Sequence, residues 1–169
     1  MLFRKNIIII LFVFFLQSCG FQPLYNIESL SGFIVNEPNN KSESSLIIYK
    51  GLDGALKPLS ASNNFIISFT IDEQFEDIDI REDEKVLRKN IAISVKFSIK
   101  KEIDEEEIFT GESLISSAYN RVAEPYANFV AEQDTRDRIL LLVIQDIKRQ
   151  LALFKKNHGG GVLGSVPKK

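Results

Sequence analysis

The 169 residues hold one cysteine and one histidine, and that scarcity removes most catalytic chemistry at the outset. His158, the lone histidine, stands at the start of a glycine-rich end and reads as a solvated tail residue. No Ser/His/Asp set can be drawn without it. A phosphate loop is also missing, because Gly159-Gly160-Gly161 follows a helical pattern where such a loop precedes one. No grouping has metal-ligand spacing, so neither a metal nor a cofactor is expected. Adjacent acids do occur, at Asp72-Glu73, Glu76-Asp77 and Asp104 to Glu107. Paired carboxylates can serve glycosidic chemistry. Here they cluster at expected turns, where solvated charge is their ordinary role, and the chain reads as a non-enzyme. The net charge of -2 gives no basic surplus, so nucleic acid is not an expected partner.

What is present begins at the N-terminus. Met1 to Asn6 carries Arg4 and Lys5 and no acid, and Ile7 to Leu16 is an unbroken apolar run of about ten residues. That is the length of a signal h-region and roughly half of what a membrane-spanning helix needs. Leu16-Gln17-Ser18-Cys19 follows, with a small residue just before the cysteine. The pattern is that of a lipobox, although Gln17 sits where a small or aliphatic residue is more usual. The same residues could close an ordinary secretory signal, but the only cysteine stands where diacylglycerol transfer requires it. Cleavage before Cys19 would leave that residue acylated and the mature chain at a charge of -4, since Arg4 and Lys5 depart with no acid. Each buried methylene contributes about 0.8 kcal/mol, one acyl chain anchors only marginally, and the two or three chains of a mature lipoprotein hold firmly. Gly20 follows the cysteine, where aspartate would favour retention at the inner membrane, so the expected site is the periplasmic side of the outer membrane.

The expected organisation is a signal peptide over 1–18, a lipidated tether over 19–30, one domain over 31–156 and a tail over 157–169. Phe33-Ile34-Val35 is a short strand candidate, ended by Pro38-Asn39-Asn40. Leu46, Tyr49, Leu52 and Leu56 recur at helical spacing, with Ser42 to Ser45 available as an N-cap and Gly51 and Gly54 weakening the helix. Phe65, Ile67, Phe69 and Ile71 alternate, as do Ile91, Ile93, Val95, Phe97 and Ile99, which predicts strands with one buried face. A further strand is expected between Ile78 and Leu87, and another from Ile108 to about Tyr119. Tyr126 to Lys156 has the stripe of a long amphipathic helix, with Pro125 suited to its first position. The expected fold is therefore α+β, with two helices packed on one face of an antiparallel four- or five-stranded sheet. Arg81, Lys85, Arg88, Lys89, Lys96, Lys100 and Lys101 fall in the strand region. They form either a patch for the phosphates of an acidic glycolipid or, with Glu82, Asp83 and Glu84 among them, a mixed solvated face.

Cys19-Gly20-Phe21-Gln22-Pro23-Leu24-Tyr25 resembles the C-G-F-x-P-L-Y start of the lipopolysaccharide-assembly lipoproteins, the LptE family. Ala118-Tyr119-Asn120, Tyr126-Ala127 and Ala131-Glu132-Gln133-Asp134-Thr135-Arg136-Asp137-Arg138 are also similar to that family. The resemblance implies lipidation at Cys19 and a plug role inside a large LptD-type outer-membrane β-barrel, with lipopolysaccharide as a further candidate partner. Two other functions compete with it. One is a periplasm-facing lipoprotein carrying an apolar or lipid ligand between helices and sheet; the other is an envelope hydrolase using Asp72 and Glu73.

Overall fold

The computed structural model describes residues 30–58, 64–80, 86–103 and 106–158; Cys19, Arg81, Lys85, Asp104 and the segment from 159 onward lie outside the described residues. Four strands and two helices make an α+β fold in the order β1 (Phe33–Val35), α1 (Glu43–Asp53), β2 (Phe65–Ile80), β3 (Val86–Lys101), β4 (Glu107–Asn120) and α2 (Pro125–His158).

The alternating residues of β3 create the inner face. Ile91, Ile93, Val95, Phe97 and Ile99 are at most 3 % exposed, while Ala92, Ser94, Lys96, Ser98 and Lys100 point the other way. β2 pairs antiparallel with β3 along its length, setting Ile67 against Ile99 and Phe69 against Phe97. β4 pairs antiparallel on the far side, through Ile115 against Ile93 and Tyr119 against Lys89. The sheet order is β1-β2-β3-β4.

The expected α+β fold, two helices on one face of a mostly antiparallel four-stranded sheet, is present, and two details of the sheet differ. It is mixed and not wholly antiparallel: β1 pairs parallel with β2, Phe33 against Phe65. The chain between them passes through α1, and such a crossover returns the next strand in the same direction. Among the described residues, the strand expected between Ile78 and Leu87 is the end of β2, which runs on to Ile80, and the start of β3 at Val86. The acids Asp72, Glu76 and Asp77 lie where β2 is exposed, so alternation fades although the strand continues.

Ser42 caps α1, its hydroxyl accepting from the Ser45 N–H at 3.2 Å. The buried face of α1 is Ser44, Ser45, Ile48 and Leu52, continued by Leu56; the anticipated Leu46 and Tyr49 are only half-buried. Gly51 has a packing role, since a Cβ there would lie 2.6 Å from Ile144 Cδ1. The glycine that weakens the isolated helix is what lets α1 approach α2. On α2 the expected stripe is buried throughout: Leu140, Val143, Ile144, Ile147, Leu151 and Phe154. His158 is corrected from tail to helix. It ends α2, stacked on the Phe154 ring at 4.4 Å with Nδ1 3.0 Å from the Phe154 carbonyl.

The helices and the inner face of the sheet bury each other, α2 against β4 and β3, α1 against β1, β2 and α2. At one end, which holds Leu30 and the last turn of α2, Phe33, Phe65 and Phe109 gather around Phe154, the latter two with ring centroids 5.4 Å from it. The opposite end carries the end of β2, the start of β3 and the first turns of α2.

Candidate functional site

Both helices lie on one face, so the other face of the sheet is uncovered. Its residues follow from the register: Ser68, Thr70, Asp72 and Gln74 on β2; Arg88, Ala92, Ser94, Lys96 and Ser98 on β3; Thr110, Glu112, Leu114 and Ser116 on β4. A cleft of about 550 Å³ opens on this face between Thr70, Lys96, Ser98, Thr110 and Glu112. A second, of about 450 Å³, continues it past Asp72, Ser94 and Leu114. Lys96 stands where the two meet, flanked in register by Thr70 and Glu112. Glu112 accepts a hydrogen bond from the Ser94 hydroxyl at 2.8 Å. Hydroxyls around an exposed ammonium suit an anionic or polyhydroxylated ligand better than an apolar one. The inner side of the sheet is different. There Ile67, Ile93, Leu140 and Ile147 are sealed at 0 % exposure and packed against one another, which leaves their surface to the core.

The basic residues singled out in the sequence do not gather into one cluster among the described residues. Arg88 and Lys96 share the open face, but eight residues of strand separate them by about 27 Å. Lys89 belongs to the other face, where its Nζ lies 3.4 Å from Asp77 Oδ1. The neighbouring acids separate in the same way. Asp72 faces the open side, whereas Glu73 turns inward to Arg136 Nε at 3.5 Å. Adjacent residues of one strand point to opposite faces, so Asp72 and Glu73 cannot act on one bond.

A set of residues missed in the sequence lies at the hairpin end. Tyr119 donates from its hydroxyl to Glu132 Oε2 at 2.9 Å. Glu132 Oε1 lies 3.6 Å from Arg136 Nη2, one turn along α2. Arg136 in turn meets Glu73 and places its guanidinium 5.5 Å from the centre of the Phe75 ring. The chain of contacts ties α2 to β4 and β2 at once. Burial and then the Glu132 bond push the Tyr119 phenol up to about 12. The i,i+4 spacing of Glu132 and Arg136 was visible in the sequence; Glu73 and Tyr119 as their partners were not. Tyr119 lies in the Ala118–Asn120 segment and Glu132 and Arg136 in the Ala131–Arg138 segment, so each segment contributes to bracing the fold.

A second polar contact seats the middle of α2 on β4. Gln150 Nε2 donates to the Glu112 carbonyl at 2.9 Å and to Asp146 Oδ2 at 2.9 Å. Burial raises the Asp146 pKa, but hydrogen bonds led by Arg149 outweigh it and hold the carboxyl below its ordinary value. Gly111 permits this seating, because a Cβ there would lie 2.4 Å from Phe97 Cζ and 2.8 Å from Gln150 Oε1.

No protein-family model matches the sequence, and no curated protein matches it. Solved structures do match the fold. Lipoprotein B from Nitrosomonas europaea, itself uncharacterized, superposes with a TM-score of 0.61 at 13 % identity, covering 82 % of this chain and 97 % of that one. A protein described as a lipoprotein in Caulobacter crescentus CB15 has a TM-score of 0.55 at 21 % identity, over 78 % of this chain and 93 % of that one. Rare lipoprotein B from Shewanella oneidensis has a TM-score of 0.50 at 11 % identity, over 79 % and 97 % of the two chains. This chain shares their architecture over nearly the whole length of each.

Proposed function

We propose that this chain is an outer-membrane lipoprotein, anchored through Cys19, that assembles with a large LptD-type β-barrel and helps deliver lipopolysaccharide to the outer leaflet. The observation that carries the reading is the open sheet face. A tethered domain with one face sealed by helices and the other lined by Ser, Thr, Asp, Glu and Lys suits the polar lumen of a wide barrel. Lipid attachment raises its effective concentration beside such a barrel. The likeness of fold to lipoproteins and the C-G-F-x-P-L-Y resemblance support the same reading. Within it, Arg88, Lys96 and Lys100 are the described basic side chains on the face that would meet a glycolipid phosphate, and no catalytic step is asked of the chain.

The experiment is an affinity pull-down of the tagged mature protein from detergent-solubilised outer membranes, with mass spectrometry of what remains bound. One large β-barrel in equal amount is the expected result. Recovery of the lipoprotein alone, or with a lipid and no barrel, would sink the proposal.

A further inference from the structure

The point at which the tether leaves the domain is pinned. Gly32 N–H donates to the Lys57 carbonyl at 2.6 Å, and Lys57 N–H to the Leu30 carbonyl at 3.5 Å. Lys155 Nζ donates to the Ser31 carbonyl at 2.7 Å and to the Ser31 hydroxyl at 2.8 Å. The exit is thus held beside the last turn of α2. Cys19 and Leu30 are eleven residue steps apart. Fully extended, such a segment reaches at most about 40 Å.

The domain itself is longer. The 34 residues of α2 run about 50 Å from the Tyr126 end to the Leu30 end, and the 16 residues of β2 cover a similar length. A bilayer with its headgroups is about 40–45 Å thick, so the domain can extend from one mouth of a membrane barrel to the other.

The two ends expose different chemistry. At the Leu30 end, Lys57, Lys101, Glu102, Glu106, Glu107 and Lys156 are exposed, with Ile103 among them. At the other end, Val122, Tyr126, Phe129 and Val130 are between 46 % and 78 % exposed. They project from a fixed turn: Asn128 Oδ1 accepts from the Val122 N–H at 2.8 Å, and Asn128 Nδ2 donates to the Val122 carbonyl at 2.8 Å. A contiguous apolar cluster on a rigid turn marks a surface that a partner covers.

We propose that the domain sits in its barrel with the Tyr126 end at the outer mouth and the Leu30 end at the periplasmic mouth, so that the barrel's extracellular loops cover Val122, Tyr126, Phe129 and Val130. This placement rests on the barrel reading above. With Cys19 acylated in the periplasm-facing leaflet, the reverse placement would send the tether up most of the roughly 40–45 Å of membrane. It would also have to cross from the bilayer to the middle of the lumen. A helix layer on a sheet is about 20 Å deep with its side chains, so that crossing adds about 10 Å, and the total exceeds the reach of the tether. Loop lengths agree, because membrane barrels carry long loops outside and short turns on the periplasmic side. Only the outer mouth has chain enough to cover an apolar cluster.

The test exploits the single cysteine: with Cys19 acylated, one new cysteine is the only free thiol. Tyr126→Cys, Phe129→Cys, Lys57→Cys and Lys156→Cys, each in the full lipidated chain, are coupled to a thiol-reactive benzophenone in outer membranes and irradiated. Copurification of the barrel in equal amount shows that each variant is seated, and mass spectrometry locates the cross-links. Positions 126 and 129 should link to extracellular loops, and positions 57 and 156 to periplasmic turns. The opposite distribution, or all four positions linking at one mouth, overturns the placement while the barrel reading stands. Links from positions 126 and 129 to glycolipid and not to protein overturn the covering by loops. Absence of any barrel from the unsubstituted chain's pull-down sinks both readings.

Discussion

The two ends of the domain are held by different forces. At the Leu30 end, Phe33, Phe65, Phe109 and Phe154 form an aromatic cluster, and Phe33 and Phe154 are at most 2 % exposed. At the hairpin end, the strands outrun the core, Phe75 is 48 % exposed, and α2 is tied down by Tyr119, Glu132, Arg136 and Glu73. Apolar burial is non-directional and dominates folding. Partly exposed ion pairs contribute modestly and are weakened by salt. The first end should therefore set global stability, and the second should govern local opening.

Phe154→Ala attacks that comparison most strongly. It should cost about 3–5 kcal/mol, the usual range for removing a buried phenylalanine, read as a fall in the midpoint of denaturant unfolding. A cost comparable with that of an exposed residue would break the contrast. Gly111→Val should cost about 1–3 kcal/mol by overpacking against Phe97 and Gln150, again seen in thermal or denaturant unfolding. Arg136→Ala should cost less, about 1–2 kcal/mol, leaving Glu73 and Glu132 without their shared cation. Its sharper signature is hydrogen exchange: amides of β2 beyond Asp72 and of β3 before Ile93 should exchange faster, while those beside Phe33 and Phe154 do not. Uniform acceleration across the domain would erase the distinction between the ends.

The smallest effect should come from Tyr119→Phe and show only at alkaline pH. The folded phenol ionises at about 12, above its ordinary value of 10.0. The folded state thus retains the proton more tightly than the unfolded chain, and its contribution is complete below pH 10. That contribution is lost as pH rises from about 10 to 12. Unfolding curves of the native chain and Tyr119→Phe should converge across that window. Parallel curves would show that Tyr119 is not a proton-linked brace.

The sequence made legible what depends on near neighbours. Ile91 to Ile99 revealed a strand and its buried face because side chains alternate along any strand. Leu140 to Phe154 revealed the long helix because 3.6-residue spacing suffices to align an apolar stripe. At the candidate site, sequence placed Arg88, Lys89 and Lys96 in one region but could not assign them to faces together. Lys89 differs from Arg88 by one residue, and that step sends it to the opposite side of the sheet. The Asp72–Glu73 pair separates for the same reason. Gly51 looked like a defect in α1 because its benefit lies in Ile144, far away in the chain.

Taken alone, the sequence determined the long helix, the buried faces of β2 and β3, and the polar character of the residues between them. These rest on periodicity, which is local and survives any arrangement of the elements. Tertiary structure decided that β1 runs parallel to β2, that β2 and β3 form one long hairpin, and that Tyr119, Glu132, Arg136 and Glu73 meet. Each of these depends on which distant segments pair, a choice governed by burying the common core and not by the pattern of any single segment.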